Sequence, residues 1–439
     1  MKNKFLAMLT MLALPILAFS AEATLDTGDT AWMMISTAFV LLMTPAGLAL
    51  FYAGMTRSKN ALNTFTMVMG AFVLAFVVWI IAGYSIAFGT NENAMLQNVM
   101  GGFSNVMLSD AKWSDLSSMG AFPEYVFVAF QGTFAAITIA IASGSVIGRM
   151  KFSTWMVVVA LWGILVYAPI VHMIWGGDGA LLFDAGALDF AGGTVVHMNG
   201  GLAGLVLAIL VGKRAGYNKT AMKPFSIILT AVGAALLWFG WYGFNGGSAF
   251  GANAIAGLAV LTTTIATAVG GLTWMLIEWF IYKKPTLLGV ASGIIAGLVA
   301  ITPAAGFVDV SGAFIIGLMG SVIAFFGVVQ LKKIFGYDDS LDAFGIHFLA
   351  GLWGALATAF FALNDQDLLW DGPLKESGDR MGQFMVQLES VLVVGLWTLI
   401  GTVIVYFIAS AITGGGRVDE ESEEIGLDES VHGEKGMNL

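Results

Sequence analysis

Long apolar runs separated by short polar segments dominate the chain. A hydrocarbon core of ~30 Å needs about 20 helical residues, so apolar runs of about 18 or more read as membrane spans. Eleven such runs fall near residues 32–53, 64–87, 123–147, 153–175, 191–212, 225–247, 255–282, 286–303, 312–333, 344–363 and 384–412. The pattern predicts an all-α polytopic membrane protein with eleven transmembrane helices. A further apolar stretch, residues 5–19, is too short to span comfortably and is interrupted by Pro15. It follows Lys2 and Lys4 and leads into the small residues Ala18, Ser20 and Ala21. Residues 1–20 are therefore expected to be a cleavable signal peptide, which places the chain in a bacterial inner (cytoplasmic) membrane. Residues 21–412 would form the membrane domain and 413–439 a cytoplasmic tail.

The basic residues orient the spans. With the mature N-terminus outside, one set of loops holds Arg57, Lys59, Arg149, Lys151, Lys213, Arg214, Lys219, Lys223, Lys283, Lys284, Lys332 and Lys333, and the tail adds Arg417 and Lys435. The opposite loops hold only Lys112, Lys375 and Arg380. Basic residues accumulate on the cytoplasmic side, so the expected topology is N-terminus out and C-terminus in.

Two segments repeat. His197-Met-Asn-Gly-Gly-Leu-Ala-Gly204 and His347-Phe-Leu-Ala-Gly-Leu-Trp-Gly354 both read His-x-x-x-Gly-Leu-x-Gly, in the fifth and tenth spans. An offset of five spans makes the copies cross in opposite directions, as a 5+5 inverted repeat about an axis in the membrane plane requires. The imidazoles would then meet near mid-membrane and could share a hydrogen bond.

Composition narrows the chemistry. Of 439 residues 58% are hydrophobic and 11% charged, and the 56 glycines suit close helix packing. Cysteine is absent, which excludes disulfides, thiolate metal sites and cysteine nucleophiles. Nucleic acid is not an expected partner. The net charge of -10 owes much to the tail. Glu278 and Glu389 lie near span ends, so no carboxylate ring replaces the hydration of a metal cation. A path along the histidines suits a small polar species that sheds its charge, or a proton moving separately. Each histidine could instead bridge helices or ligate haem. His172 reads as packing.

Several segments resemble the Amt/Mep/Rh ammonium transporters, closest to the bacterial Amt type, and the resemblance covers nearly the whole mature chain. They are Asp189-Phe-Ala-Gly-Gly-Thr-Val-Val-His197, Phe130-Gln-Gly-Thr-Phe134, Trp241-Tyr-Gly-Phe-Asn-Gly-Gly-Ser248, Thr302-Pro-Ala-Ala-Gly306 and Phe344-Gly-Ile-His347. The resemblance implies an ammonium/ammonia transporter serving nitrogen uptake. Phe130, Trp175 and Ser248 would form an outer recruitment site supported by Asp189, Phe134 and Phe244 a gate, and His197, His347 and Thr302 the pore. Gly201 and Gly246 depart from a pattern that more often has alanine, and Asp178 and Asp184 mark a loop of unassigned effect. The resemblance also implies a homotrimer.

From Thr413 the chain turns glycine-rich and then acidic, a composition that by itself suggests a solvated tail. Gly426-Leu427-Asp428-Glu-Ser-Val-His432-Gly433-Glu434 resembles the family's ordered C-terminal motif, which implies a regulatory tail working with a PII signalling protein. This chain lacks the aromatic residue often found just after that motif. An ammonium sensor signalling through this tail is the alternative function.

Overall fold

A computed structural model describes residues 24–365 and 368–436. The expected signal peptide lies outside these residues. The described residues are helical and contain no strand. Among the described residues ten helices are long and apolar enough to cross a membrane. With a shorter apolar helix included, we number them α1 (Thr27–Met55), α2 (Ser58–Phe88), α3 (Glu124–Val146), α4 (Phe152–Trp175), α5 (Gly193–Val211), α6 (Ile227–Gly247), α7 (Ala254–Tyr282), α8 (Leu287–Ile301), α9 (Val310–Phe335), α10 (Phe344–Phe361) and α11 (Arg380–Thr413).

The polar residues between runs start the helices. Asp26, Ser226, Asn253, Thr286, Asp309 and Asp379 each accept a backbone N–H of the first turn, starting α1, α6, α7, α8, α9 and α11. Close packing then follows from small residues. A Cβ on Gly270 of α7 would stand 2.6 Å from the Gly293 carbonyl of α8, and one on Gly317 of α9 would stand 2.4 Å from the Ala266 carbonyl of α7. Backbones this close need no side chain between them.

The run at 286–303 departs from expectation. Its helix, α8, has 15 residues, which at 1.5 Å per residue is about 22 Å and short of a full span. Thr302-Pro303 ends it, and residues 302–307 turn. The Pro303 carbonyl accepts the Phe190 N–H at 3.1 Å, and the Pro303 ring lies where a Gly193 Cβ would be. The missing turn of α8 thus packs against the start of α5.

Among the described residues six of these helices carry a π-helical turn, which in α5 (Gly193–Met198) and α10 (Phe344–Phe348) is the opening turn. Such turns widen a helix locally and free a carbonyl or re-aim a side chain. Both His197 and His347 sit in one.

The basic loops gather at one end. Arg149, fully buried, donates to the Gly212 and Asp338 carbonyls and to Ser340 Oγ. Arg214 pairs with Asp338 at 2.6 Å, Lys151 donates to the Gly414 carbonyl, and Arg417 pairs with Glu423.

Candidate functional site

At the opposite end of α4 lies a cavity of about 300 Å³ whose walls include Phe88, Phe127, Gln131, Phe134, Trp175, Phe190, Ser248 and Phe250. Three expected residues, Phe134, Trp175 and Ser248, line it. The Ser248 hydroxyl donates to the Phe244 carbonyl at 2.8 Å, which leaves its lone pairs as acceptors. The Trp175 indole N–H donates to the Asp189 carbonyl at 2.8 Å, and its ring meets Phe134 edge-on. Phe130 is not on the wall. It is fully buried one layer behind, with its ring 4.8 Å from that of Phe134.

Asp189 does not line the cavity either. One carboxylate oxygen accepts the Gly192 and Gly193 N–H groups at 2.9 and 2.6 Å, and the other those of Thr194 and Val195 at 2.9 and 3.1 Å. The Thr194 hydroxyl donates to it as well. The carboxylate therefore holds the first turn of α5, where its charge also complements the helix dipole. Gly192 makes this approach with φ +108°, a conformation that disfavours other residues.

Below the cavity the aromatic rings continue. Phe134 and Phe244 are stacked, with centroids 4.1 Å apart and planes 20° apart. Phe244 lies 5.7 Å from the His197 ring, and His197 lies 5.4 Å from the His347 ring. The two Nδ1 atoms stand 3.3 Å apart, and both imidazoles are buried. One Nδ1 can donate only if the other is unprotonated, so the contact fixes complementary tautomers. Two nitrogens ligating one metal from opposite sides would stand about 4 Å apart. The observed separation and near-parallel rings fit a shared hydrogen bond rather than haem ligation.

The repeat has a reciprocal geometry. A Cβ on Gly201, four residues after His197, would stand 2.5 Å from the Phe348 nitrogen beside His347. A Cβ on Gly351, four residues after His347, would stand 2.9 Å from the Gly193 carbonyl and 3.3 Å from the His197 Cβ. Each motif's glycine makes room for the other helix at its histidine. Each π-helical turn is also held by an aspartate eight residues before its histidine: Asp189 in one copy, and in the other Asp339, which accepts the Phe344 N–H at 2.8 Å.

Thr302 does not touch the histidines. Its hydroxyl accepts the Trp241 indole N–H at 2.9 Å and donates to the Leu298 carbonyl at 2.8 Å. Gln131, Phe127 and Phe250 were not foreseen. Gln131 directly follows Phe130 in a quoted motif, and its Oε1 is buried without a protein partner. His172 is buried at the end of α4, with its ring nitrogens 3.0 and 2.7 Å from the Ala87 and Gln97 carbonyls.

The tail is packed, not free. Two short helices, α12 (Glu420–Ile425) and α13 (Leu427–His432), follow α11. Gly426, at φ +115°, lies against Lys59. Leu427 is buried and donates its N–H to Asn60 Oδ1. The Asp428 carboxylate accepts the Leu62 and Asn63 N–H groups at 3.1 and 2.7 Å. His432 Nε2 lies 3.0 Å from Asn63 Nδ2 and its ring meets Phe152 edge-on. Gly433 ends α13 at φ +67°, and Glu434 donates its N–H to the Asp428 carbonyl. Burial raises the Asp428 carboxyl above the usual carboxylate range and lowers the His432 imidazole below its ordinary value.

A family model described as Ammonium Transporter Family matches residues 31–437. The ammonium transporter of Aquifex aeolicus is 46% identical over 426 residues, covering 96% of each chain. That of Bacillus subtilis is 43% identical and covers 93% of this chain and 98% of its own. The crystal structure of Saccharomyces cerevisiae Mep2 superposes with a TM-score of 0.82 at 34% identity, covering 91% of this chain and 92% of its own.

Proposed function

The chain belongs to the Ammonium Transporter Family, a family of membrane transporters rather than enzymes, and from that premise we propose that it carries ammonium into the cell as ammonia through the His197/His347 path. The observation that carries this reading is the unbroken file of rings from the cavity through Phe134 and Phe244 to the two imidazoles. Aromatic faces attract an ammonium ion by roughly 0.5–2 kcal/mol, and Ser248 offers an oxygen. Phe134 and Phe244 in stacking contact leave no passage for a hydrated ion, so the species that crosses is stripped of water. A bare cation beyond them meets a large desolvation cost. The ion therefore gives up its proton to water on the cavity side of the Phe pair, and neutral ammonia passes the histidines. The shared Nδ1–Nδ1 contact gives the proton a route of its own.

The architecture that goes with this function has eleven spans, α8 being the short one, in a 5+5 inverted repeat with the N-terminus out and the C-terminus in. The reciprocal glycine contacts and matched aspartates support the repeat, and the gathering of basic loops at one end supports the orientation. Residues 1–20 are assigned as a signal peptide, 21–412 as the transporter domain and 413–439 as the regulatory tail. A homotrimer in a bacterial inner membrane, with a PII protein at the tail, follows from the resemblance.

Growth of a transport-deficient bacterium on limiting ammonium tests the function. Rescue by this chain supports transport. Failure to rescue, with the protein present in the membrane, favours the sensor.

A further inference from the structure

We propose that His172 and Gln97 form a clasp that sets the spacing of the aromatic walls of the outer cavity, and so its preference for ammonium over alkylated ammonium ions. This rests on reading the cavity as the capture site.

Three segments that supply cavity walls meet at this clasp. They carry Phe88 at the end of α2, Trp175 at the end of α4 and Phe183 between α4 and α5. His172 is fully buried one turn before Trp175, with its ring nitrogens 3.0 Å from the Ala87 carbonyl and 2.7 Å from the Gln97 carbonyl. Ala87 directly precedes Phe88, and its carbonyl lies in the last turn of α2, where helical donors run out. A neutral imidazole donates to one of the two carbonyls and an imidazolium to both, so either form ties α4 to the chain around the end of α2. Gly176 leaves the ring its place: a Cβ there would stand 2.7 Å from His172 Nδ1.

Gln97 extends the tie to the third wall. Its Nε2 donates to the Asp178 carbonyl at 3.2 Å, and its Oε1 accepts the Asn91 N–H at 2.6 Å. One residue on, the Asn98 carbonyl accepts the Leu181 N–H at 3.0 Å, two residues before Phe183. Gly179, at φ +87°, passes so close that its Cβ would stand 2.9 Å from Gln97 Cγ. Neither His172 nor Gln97 lines the cavity, so both are positioning residues that act through the walls they hold. Spacing matters because a ring attracts a cation only within about 6 Å of its centroid. A small ion touches facing rings together only where they stand close, whereas walls drawn apart suit a methylated ion better.

The test is uptake of ammonium and of methylammonium by proteoliposomes holding wild type, His172→Leu, Gln97→Ala or the double variant. His172→Leu removes both ring contacts. Gln97→Ala removes the side-chain link alone, at a half-buried loop position, and decides the matter where His172→Leu fails to fold. The half-saturating ammonium concentration is expected to rise about three- to ten-fold in His172→Leu, the factor one hydrogen bond carries, and less in Gln97→Ala. That for methylammonium is expected to rise less or to fall, so the preference for ammonium narrows in both variants. Maximal rates per folded protein are expected to stay within about two-fold of wild type. The double variant is expected to fall short of the product of the two effects, because both loosen one clasp. Maximal rates that fall while the preference is unchanged mark a packing role and overturn the proposal. Transport in wild type with half-saturation and preference unshifted in the variants removes this inference alone. A wild type without ammonium transport removes the functional reading and this inference with it.

Discussion

The indole of Trp241 lies against the imidazole of His197, with ring centroids 5.1 Å apart and planes 22° apart. Trp241 is held there by Thr302, whose hydroxyl accepts the indole N–H and donates its own hydrogen bond to the Leu298 carbonyl. The short helix α8 therefore reaches the histidine path through a tryptophan, and its early end at Thr302 is what brings that hydroxyl to the right depth.

Replacing Thr302 by valine keeps the volume and removes the acceptor. A buried N–H left without a partner costs about 1–3 kcal/mol, and the indole is expected to leave its place beside His197. Transport by Thr302→Val is expected to fall several-fold with the protein still assembled in the membrane. Uptake per unit of purified protein checks this; unchanged uptake would remove Thr302 from the pore account.

The reciprocal glycines allow a comparison within one chain. Gly201→Ala and Gly351→Ala each put a methyl group into contact with the facing backbone, and overpacking of this kind costs about 1–3 kcal/mol. Both variants are expected to lower the unfolding temperature in detergent and to impair transport. Gly257→Ala and Gly395→Ala, whose added methyls meet nothing within 4 Å, are expected to be neutral or slightly stabilising. Equal effects in the two sets would argue against a close approach at the histidines.

Asp189 is expected to act through α5 rather than by touching the ion. Its carboxylate accepts four backbone N–H groups and one hydroxyl, and hydrogen bonds to a charged acceptor contribute about 1.5–3 kcal/mol each. Asp189→Ala is expected to reduce both the folded yield and transport. Asp189→Asn turns an amide donor towards backbone donors and is expected to be nearly as damaging. A well-folded Asp189→Ala protein with only weakened ammonium affinity would instead indicate direct ion contact.

The tail should loosen on mild acidification. The docked His432 binds its proton less readily than a free histidine, so its contribution is complete above about pH 6.5 and is lost as pH falls through the docked value. Asp428 works in the opposite sense: its docked carboxyl binds a proton more readily, so its contribution is present at low pH and lost as pH rises through its docked value. Between about pH 7.5 and 5.5 the two groups act in opposite senses, and comparison with His432→Gln isolates the histidine. Limited proteolysis after Gly414 is expected to quicken over that range in wild type and to change little in His432→Gln.

Much of this arrangement was legible in the sequence, for identifiable reasons. The apolar runs gave the helices because lipid leaves the backbone no other partner, and the two His-x-x-x-Gly motifs announced the imidazole pair. The resemblance supplied Phe134, Phe244, Trp175 and Ser248. The length of α8 was not legible, since hydropathy does not register that Pro303 must turn to meet Gly193. Phe130 lies behind the wall because side-chain direction is set by neighbouring helices, which a motif does not record. Asp371 and Lys375 reach the cavity from more than a hundred residues beyond Ser248, and only the fold brings them there. The acidic composition of the tail suggested a solvated segment, whereas Leu427 and the Asp428 cap tie it to the start of α2.

The most direct measurement is the current on a solid-supported membrane after an ammonium jump, taken on reconstituted wild type and on His197→Ala/His347→Ala at equal protein density. The account expects an ammonium-dependent signal in wild type that is lost or altered in ion selectivity in the double variant, because the imidazole pair forms the path below the Phe134/Phe244 floor. Currents of equal size and equal selectivity in the two proteins would contradict it.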